Sequence, residues 1–505
     1  DISSSDVLAK ALANVALDMI GLRFEPRGSG HANSQAISRF VKEAGHAPSK
    51  LAINFGLDPV GCLMRSGAME ADWIDDLAAT VGQLRTDGFE GALVHCDTRP
   101  VHEAGGSEAQ ELAAALAMGV AYLRALSASG LSLIDARDCL SWTVAIDADQ
   151  FLSIAKLRAL RLLWARVEEA SGLDQRPIDI HAETAWRMMS RRDPAVNMLR
   201  STMATAAASI GGADSISVLP YTLPLGLPNA FARRAARNTQ TILMEESNLW
   251  RVADPAAGAG AYEAITDELC EAAWSQFQEI EREGGFVESC QAGGLQQRIA
   301  AVRQNRRKQI ATRKIALTGT SEFPNLAEAD ESVLDVARVA TPSDVGGQRV
   351  GDPLPSERLA EPFEILRDAA DAAAASAGAR PAVFLANLGT LAEHGGRAMW
   401  IGNLLAAGGI AVISNDGFTN SAEVGNAFGE SGATVACICG TDETYGELGE
   451  AVASLLKTAG AKSVLLAGKP GEAEAELRAA GIDAFLHVGI DVIAALGELH
   501  DTLDI

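Results

Sequence analysis

The chain has 505 residues, 48% apolar, 21% charged and 5% aromatic, with a formal charge of −24. That length exceeds one ordinary core, so two or three domains are expected, and the apolar share is that of a well-buried globular protein. The acidic balance argues against general nucleic-acid binding, because a polyanion would be repelled, and a phosphate-bearing ligand would need a local arginine cluster or helix N-termini.

From Met19 to about Pro255, short apolar runs alternate with helical patterns. Strands are predicted at MIGLRF (19–24), LAINFG (51–56), GALVHC (91–96), WTVAID (142–147), IDIHAE (178–183) and SISVLP (215–220). Between them, ADWIDDLAATVGQLRTDG and EAQELAAALAMGVAYLRALSASG place apolar residues three and four apart, the helical period. Strand–helix alternation predicts parallel βα units, and this many in one stretch favours a closed (β/α)8 TIM-type barrel over an open sheet. Barrel chemistry sits at the C-terminal strand ends. Those ends carry Asn54, Cys96 and Asp97, Asp147, Ala182 to Thr184, and Leu219 to Tyr221.

Further along, the basic run RQNRRKQIATRK (303–314), the polar GTSEFPNLAEADES (319–332) and the Pro/Gly-bearing TPSDVGGQRVGDPLPSER (341–358) read as an extended surface linker that wraps a domain. An alanine-rich helix, FEILRDAADAAAASAG (363–378), leads to five more strands: PAVFLANLG (381–389), GIAVISND (409–416), ATVACICG (433–440), SVLLAG (463–468) and DAFLHVG (483–489). This is the content of a flavodoxin-like α/β domain. The expected division is a barrel over 1–300, a linker over 301–375 and an α/β domain over 376–505. The absence of an initial methionine leaves room for sequence upstream of Asp1.

Several motifs have a bland and a functional reading. ADPAAGAGAYE (253–263) lacks the third glycine of a dinucleotide turn and reads as a loop and helix start. LLAGKPGE (465–472) lacks Walker spacing and reads as a turn. Glu245 and Glu246 are a possible acid/base pair or a polar helix end. Arg191–Arg192 and Arg233–Arg234 could meet phosphates or be solvated helix-surface cations. His181 ends a strand on the functional face and is the histidine candidate for catalysis. The stretch from Leu391 to Gly396, with Glu393, His394 and Gly395, reads as a short loop between strand and helix, the shape of a cofactor site. Seven cysteines without CxxC spacing read as reduced, buried thiols of a cytoplasmic protein, and no metal site is expected. No run reads as long and apolar enough to span a bilayer, and no signal peptide is visible.

RRDPAVNMLR (191–200), LGLPNAFARRAARNTQ (225–240) and EESNLWRVADP (245–255) resemble, in order and spacing, the late barrel of the methylmalonyl-CoA mutase family. LAEPFEILRDAADAAAASAGARPAVFLANLG (359–389) resembles the linker and first strand of that family's cobalamin-binding domain. Catalytic chains of the family carry an Asp-x-His-x-x-Gly loop whose histidine is the lower cobalt ligand. The resemblance puts the aspartate at Leu391, the histidine at Glu393 and the glycine at Gly396, with His394 one residue out of register. Leucine cannot orient an imidazole, and a carboxylate is a poor substitute for one towards cobalt. The family's Ser-x-Leu segment falls near GTDETY (440–445), and its Gly-Gly, past which the nucleotide tail runs, appears as Ala467–Gly468. In the barrel, the active-site histidine falls on Ser217, and a Thr-Ser-Gly strand end becomes Glu183-Thr184-Ala185-Trp186.

The resemblance therefore implies the small, non-catalytic subunit of a heterodimeric adenosylcobalamin-dependent isomerase interconverting methylmalonyl-CoA and succinyl-CoA. The large subunit would bind the adenosylcobalamin and the acyl-CoA. This chain would supply no catalytic, cofactor-binding or metal-binding residue, and the stretch 391–396 would hold nothing, its glycines serving a turn. Two other readings stay open. One is an active acyl-CoA mutase of altered specificity, with His181 or His394 in new roles. The other is a cobalamin-free barrel enzyme or a regulatory binding module.

Overall fold

Every run predicted as a strand carries one, and the ladders among them are all parallel. The computed structural model describes residues 4–25, 30–336 and 347–505; the start of TPSDVGGQRVGDPLPSER (341–346) lies outside the described residues. Two compact units form: Asp1–Met189 with Asn197–Gln304 and Val333–Arg358, and Ser190–Val196 with Asn305–Ser332 and Leu359–Ile505.

The first unit contains β1 (Gly21–Arg23), β2 (Ala52–Asn54), β3 (Ala68–Met69), β4 (Val94–Asp97), β5 (Leu140–Ile146), β6 (Ile180–Thr184), β7 (Ser215–Ser217), β8 (Leu227–Pro228), β9 (Val333–Leu334) and β10 (Gln348–Arg349). β1 pairs with β2, a single parallel bridge from Leu57 to Val94 reaches β4, and β4, β5, β6 and β7 follow in order. Among the described residues no ladder joins β7 back to β1, so the pairings give a parallel α/β succession rather than a closed eight-stranded ring. The next strand, β8, pairs antiparallel with β9 and does not extend the series. β10 likewise adds antiparallel to β3. Val333–Leu334 and Gln348–Arg349 thus both pair with strands of the first unit.

The basic run 303–314 differs from its reading. Its first nine residues continue the helix Gly294–Ala311, because arginine, glutamine and lysine are good helix formers and no proline interrupts them.

The helix Glu108–Ala128 is the spine of the first unit. Ser107 and Gln110 form a reciprocal capping box at its start, and 16 of its 21 residues are buried. By length and composition it is the one helix among the described residues that could cross a membrane, which corrects the reading that no run reaches that threshold. Its alanine-rich surface is used inside the protein instead: 72% of its most apolar window is buried. Gly119 shows why the surface is so smooth. A Cβ there would lie 2.5 Å from a ring carbon of Trp164, and Trp164 itself packs at a tilt of 58° on Trp142 with ring centroids 4.6 Å apart.

The second unit holds β11 (Ala382–Asn387), β12 (Ala411–Ile413), β13 (Val435–Cys439), β14 (Ser463–Ala467) and β15 (Ala484–Leu486). The sheet runs β12-β11-β13-β14-β15, so the order reverses next to β11, and the crevice between the carboxyl ends of β11 and β13 is where such sheets take ligands. Apolar clusters cover both faces.

Gly119→Ala raises helix propensity by about 1 kcal/mol but forces a methyl into two fixed indoles. Overpacking of this kind is expected to win, with a net loss on the order of 1–2 kcal/mol, read as a lower urea midpoint. A midpoint at or above that of the parent would show that the two tryptophans can move aside.

Candidate functional site

A strand turns alternate side chains to opposite faces, and in the first unit the two faces differ in kind. Val94, Cys96, Trp142, Val144, Ile146, Ile180 and Ala182 pack into the apolar core. The alternate row carries His95 and Asp97 of β4, Ser141 and Thr143 of β5, His181 and Glu183 of β6, and Ser215 and Ser217 of β7, paired across the ladders in that register. A packed barrel would place Val, Ile and Leu on such a row. A polar row marks this as the functional face.

At its floor, Asn54 donates to Ser141 Oγ at 2.6 Å, and Arg23 Nη1 lies 3.3 Å from His95 Nδ1. A guanidinium only donates, so His95 accepts at Nδ1. Burial drives the His95 pKa well down, against the pull of Asp97. His181 and Ser217, the two barrel positions singled out in the sequence, meet: His181 Nε2 is 3.0 Å from Ser217 Oγ and Nδ1 is 2.7 Å from Ser215 Oγ. Burial, then Arg23 and Arg99, bring the His181 pKa down to about 3. Neither histidine takes up a proton near neutrality, and each is occupied by hydroxyl or guanidinium partners.

The strand ends are closed by charge. Arg99 grips Asp97 with two donors, Nε at 2.8 Å and Nη2 at 2.9 Å, reaches Glu183 at 2.8 Å and Glu25 at 2.7 Å. Arg65 bridges Asp97 to Asp58, each at 3.1 Å. Asp58 is fully buried and also accepts from the Tyr122 hydroxyl at 2.6 Å and the Gly61 amide at 2.9 Å. The chain Asp58–Arg65–Asp97–Arg99–Glu183 thus spans the face. Burial raises the Asp58 pKa to about 6 and that of Glu183 to about 7, Arg65 and Arg99 respectively opposing it. Asp97 is buried too, but the two arginines hold it well below the usual carboxylate range. Sequence reasoning named Asp97 and Glu183 only as strand-end positions and missed Arg99, Arg65, Asp58 and Glu25. The one legible signal was the cluster of charge in HCDTRP (95–100), directly after an apolar run.

The other candidates fall as follows. Trp186 packs half-buried on the core under the Arg358 guanidinium, 5.4 Å from its ring centroid. Cys96 lies on the apolar face, where burial and neighbouring Asp58 push its thiol far up. Glu245 and Glu246 are exposed at the end of the helix Ala230–Glu245. Arg233 donates to the Pro228 carbonyl and Arg234 lies over Phe231. Arg191 and Arg192, in the second unit, are neither phosphate clamps nor solvated cations. Arg191 pairs with fully buried Glu364 at 3.0 Å, and Arg192 with Glu328, Asp368 and Asp371.

In the second unit the stretch read as a loop from Leu391 is the first turn of the helix Leu391–Ala407. Thr390 is its N-cap, and the Glu393 carboxylate accepts from the Thr390 amide at 2.6 Å and hydroxyl at 2.7 Å. This is the Thr-x-x-Glu capping box, a sequence signature that was there to be read. Gly395 and Gly396 are helical; the turn glycine is Gly389, at φ 77°, where a Cβ would lie 2.5 Å from Glu393 Oε2. Leu391 is 75% exposed, while His394 is buried against the Gly417 backbone.

The crevice beside β11 is filled. Tyr445 donates to the Ala467 carbonyl at 2.7 Å and accepts from the Gly440 amide at 2.9 Å. Arg397 lies 4.8 Å over the Tyr445 ring centroid and donates to the Gly440 carbonyl at 2.8 Å. Both side chains come within 3.4 Å of where a Cβ on Gly468 would stand, so the space over Ala467–Gly468 is taken up by protein.

Comparison with known proteins shows the family. A family profile described as methylmalonyl-CoA mutase matches residues 9–349. The methylmalonyl-CoA mutase small subunit of Streptomyces virginiae is 44% identical, over 99% of this chain and 78% of its own length. A probable methylmalonyl-CoA mutase small subunit of Mycobacterium tuberculosis is 42% identical over 89% of this chain and 70% of its own. The small subunit of Propionibacterium freudenreichii subsp. shermanii is 37% identical over 100% of this chain and 77% of its own. With a match that runs through both compact units, the chain belongs to the methylmalonyl-CoA mutase family.

Proposed function

We propose that this chain is the small, structural subunit of an adenosylcobalamin-dependent methylmalonyl-CoA mutase. It pairs with a large chain that binds both the cofactor and the acyl-CoA. The family is cobalamin-dependent, and the relatives that match along nearly the whole chain carry the words small subunit. The observation that carries the structural role is the occupation of both candidate sites by the chain's own side chains: Arg99 and its carboxylates in the first unit, Tyr445 and Arg397 in the second.

The residues of the second unit do not fit a corrinoid. The position of the lower imidazole ligand holds Glu393, whose carboxylate is engaged in a helix cap. Its orienting partner is the exposed Leu391, and His394 is buried under the Gly417 turn. No chemical step is assigned to the cofactor on this chain. In this reading residues 1–300 make a (β/α)8-type barrel domain, for which the parallel succession from β1 to β7 speaks although its ladders do not close among the described residues. A linker of 301–375 leads to a flavodoxin-like domain of 376–505, for which the strand order β12-β11-β13-β14-β15 speaks. A cytoplasmic, reducing setting suits seven unpaired cysteines.

Three experiments test this reading. Co-expression with a large mutase chain should give a 1:1 complex by light scattering, with isomerase activity that the large chain loses when this chain is withheld. A large chain fully active and stable alone would defeat the assignment. Second, the chain should release adenosylcobalamin on desalting, and Leu391→Asp with Glu393→His should lower the thermal midpoint, by opening the cap, without yielding methylmalonyl-CoA turnover. Turnover by that variant alone would mean that the barrel face is competent.

Third, Glu183 should leave a mark on stability. Its folded pKa, about 7, lies above the ordinary 4.5. The folded chain therefore holds the extra proton, and the contribution to stability is lost as pH rises through that window. Between about pH 5 and about pH 7.5 the thermal midpoint should fall less steeply for Glu183→Gln than for the parent. Parallel curves would place Glu183 outside the strained part of the charge chain.

A further inference from the structure

Beside the charge chain, on the same C-terminal side of the strands, lies a second cluster that the subunit reading does not use. His102 follows β4, Glu108 opens the helix Glu108–Ala128, and Asp147 directly follows β5. Their ligand atoms lie within 4.8 Å of one another. His102 Nε2 is aimed at the pair, 3.4 Å from Asp147 Oδ2 and 4.0 Å from Glu108 Oε1. The imidazole is wholly buried, and neither ring nitrogen has a hydrogen-bond partner.

Two costs stand unanswered there. A buried imidazole without a partner forfeits its hydration. The charges do not balance either: Glu108 and Asp147 face one guanidinium, Arg187, at 3.4 and 3.0 Å. The nearby Lys156 is already paired with Glu111 at 2.7 Å and contributes no surplus.

We propose that His102, Glu108 and Asp147 bind a divalent transition-metal ion, of the Mn²⁺, Co²⁺ or Zn²⁺ kind, between the carboxyl ends of β4 and β5. An imidazole with two carboxylates suits such ions better than Mg²⁺ or Ca²⁺, which prefer all-oxygen shells. Bonds of about 2.0–2.2 Å set tetrahedral ligand atoms about 3.4 Å apart, which the His102–Asp147 pair already meets, so the Glu108 carboxylate must draw in by roughly an ångström. The ion answers both costs at once, giving His102 Nε2 a partner and supplying the absent positive charge. Arg187 stays as an outer partner of the carboxylates, since its Nη1 is anchored on the carbonyls of His102 and Gly106 at 3.1 and 2.8 Å. The site would tie the segments after β4 and β5 together, and it does not depend on whether the chain is a small subunit.

The test is a titration of the full, untagged chain after treatment with a chelator, using Co²⁺ alone as the probe. Expected are one equivalent retained on desalting, a visible absorption band, a higher thermal midpoint, and paramagnetically shifted imidazole resonances from a ligating histidine. His102→Gln and Asp147→Asn should weaken binding by about 100-fold or more, while His487→Gln, at a half-buried histidine of the second unit, should change nothing. If His102→Gln fails to fold, the shifted imidazole resonance in the parent protein decides alone. Retention of less than about a tenth of an equivalent by the parent overturns the proposal. So does binding that survives His102→Gln, or a doubly protonated His102 at neutral pH, which would balance the cluster without an ion.

Discussion

A guanidinium buried among strand ends needs acceptors for its donors and negative charge to balance it, and carboxylates supply both. Arg99 meets that condition with Asp97, Glu183 and Glu25, and the rest of the first unit's functional face follows from it. Asp97, gripped by two arginines, stays ionised in a buried place. Burial, with Arg23 and Arg99, keeps His181 and His95 neutral. Two neutral imidazoles then satisfy themselves with serine hydroxyls and Arg23, while Glu183, paired with Arg99, is left to titrate near neutrality. Removing one member of such a chain would strand a buried charge, a loss of several kcal/mol in comparable cases, so the network is held together by its own interdependence.

The second unit reaches the same end by different means. Its sheet order still makes a crevice beside β11, but the helix that follows begins as early as Leu391 because Thr390 and Glu393 satisfy its first amides. A helix begun there has no open loop with which to hold a ligand. Tyr445 then bonds across the strand ends to Ala467 and Gly440, and Arg397 covers its ring. In both units, polar groups that could have faced a ligand face each other instead.

The arginine pairs illustrate how differently one residue type can be used. Arg191 and Arg192 sit in a motif shared with the family and were open to being read as phosphate clamps. They bind Glu364, Asp368, Asp371 and Glu328 within the second unit. A strongly acidic chain offers its arginines carboxylates at every turn, so an arginine here is far more readily a brace than an anion site.

What the sequence determined by itself was the alternation of strands and helices, with every run found where its apolar pattern placed it. Period-2 and period-3.6 patterns are local, and parallel pairing follows when each strand is followed by a helix. Ser217, Leu391 and Glu393 could likewise be singled out from the sequence, because a motif is a matter of order and spacing. The Thr390–Glu393 cap was also local, and was there to be read. Only the tertiary structure decided the rest. The series of parallel ladders stops at β7, since β8 is two residues long and pairs with a segment more than a hundred positions away. Arg65, Arg99, Glu183 and Glu25 meet across as many as 158 positions, and so do His102, Glu108, Asp147 and Arg187 across 85. Charges so far apart in the chain have no common pattern until strands of one sheet bring their ends together.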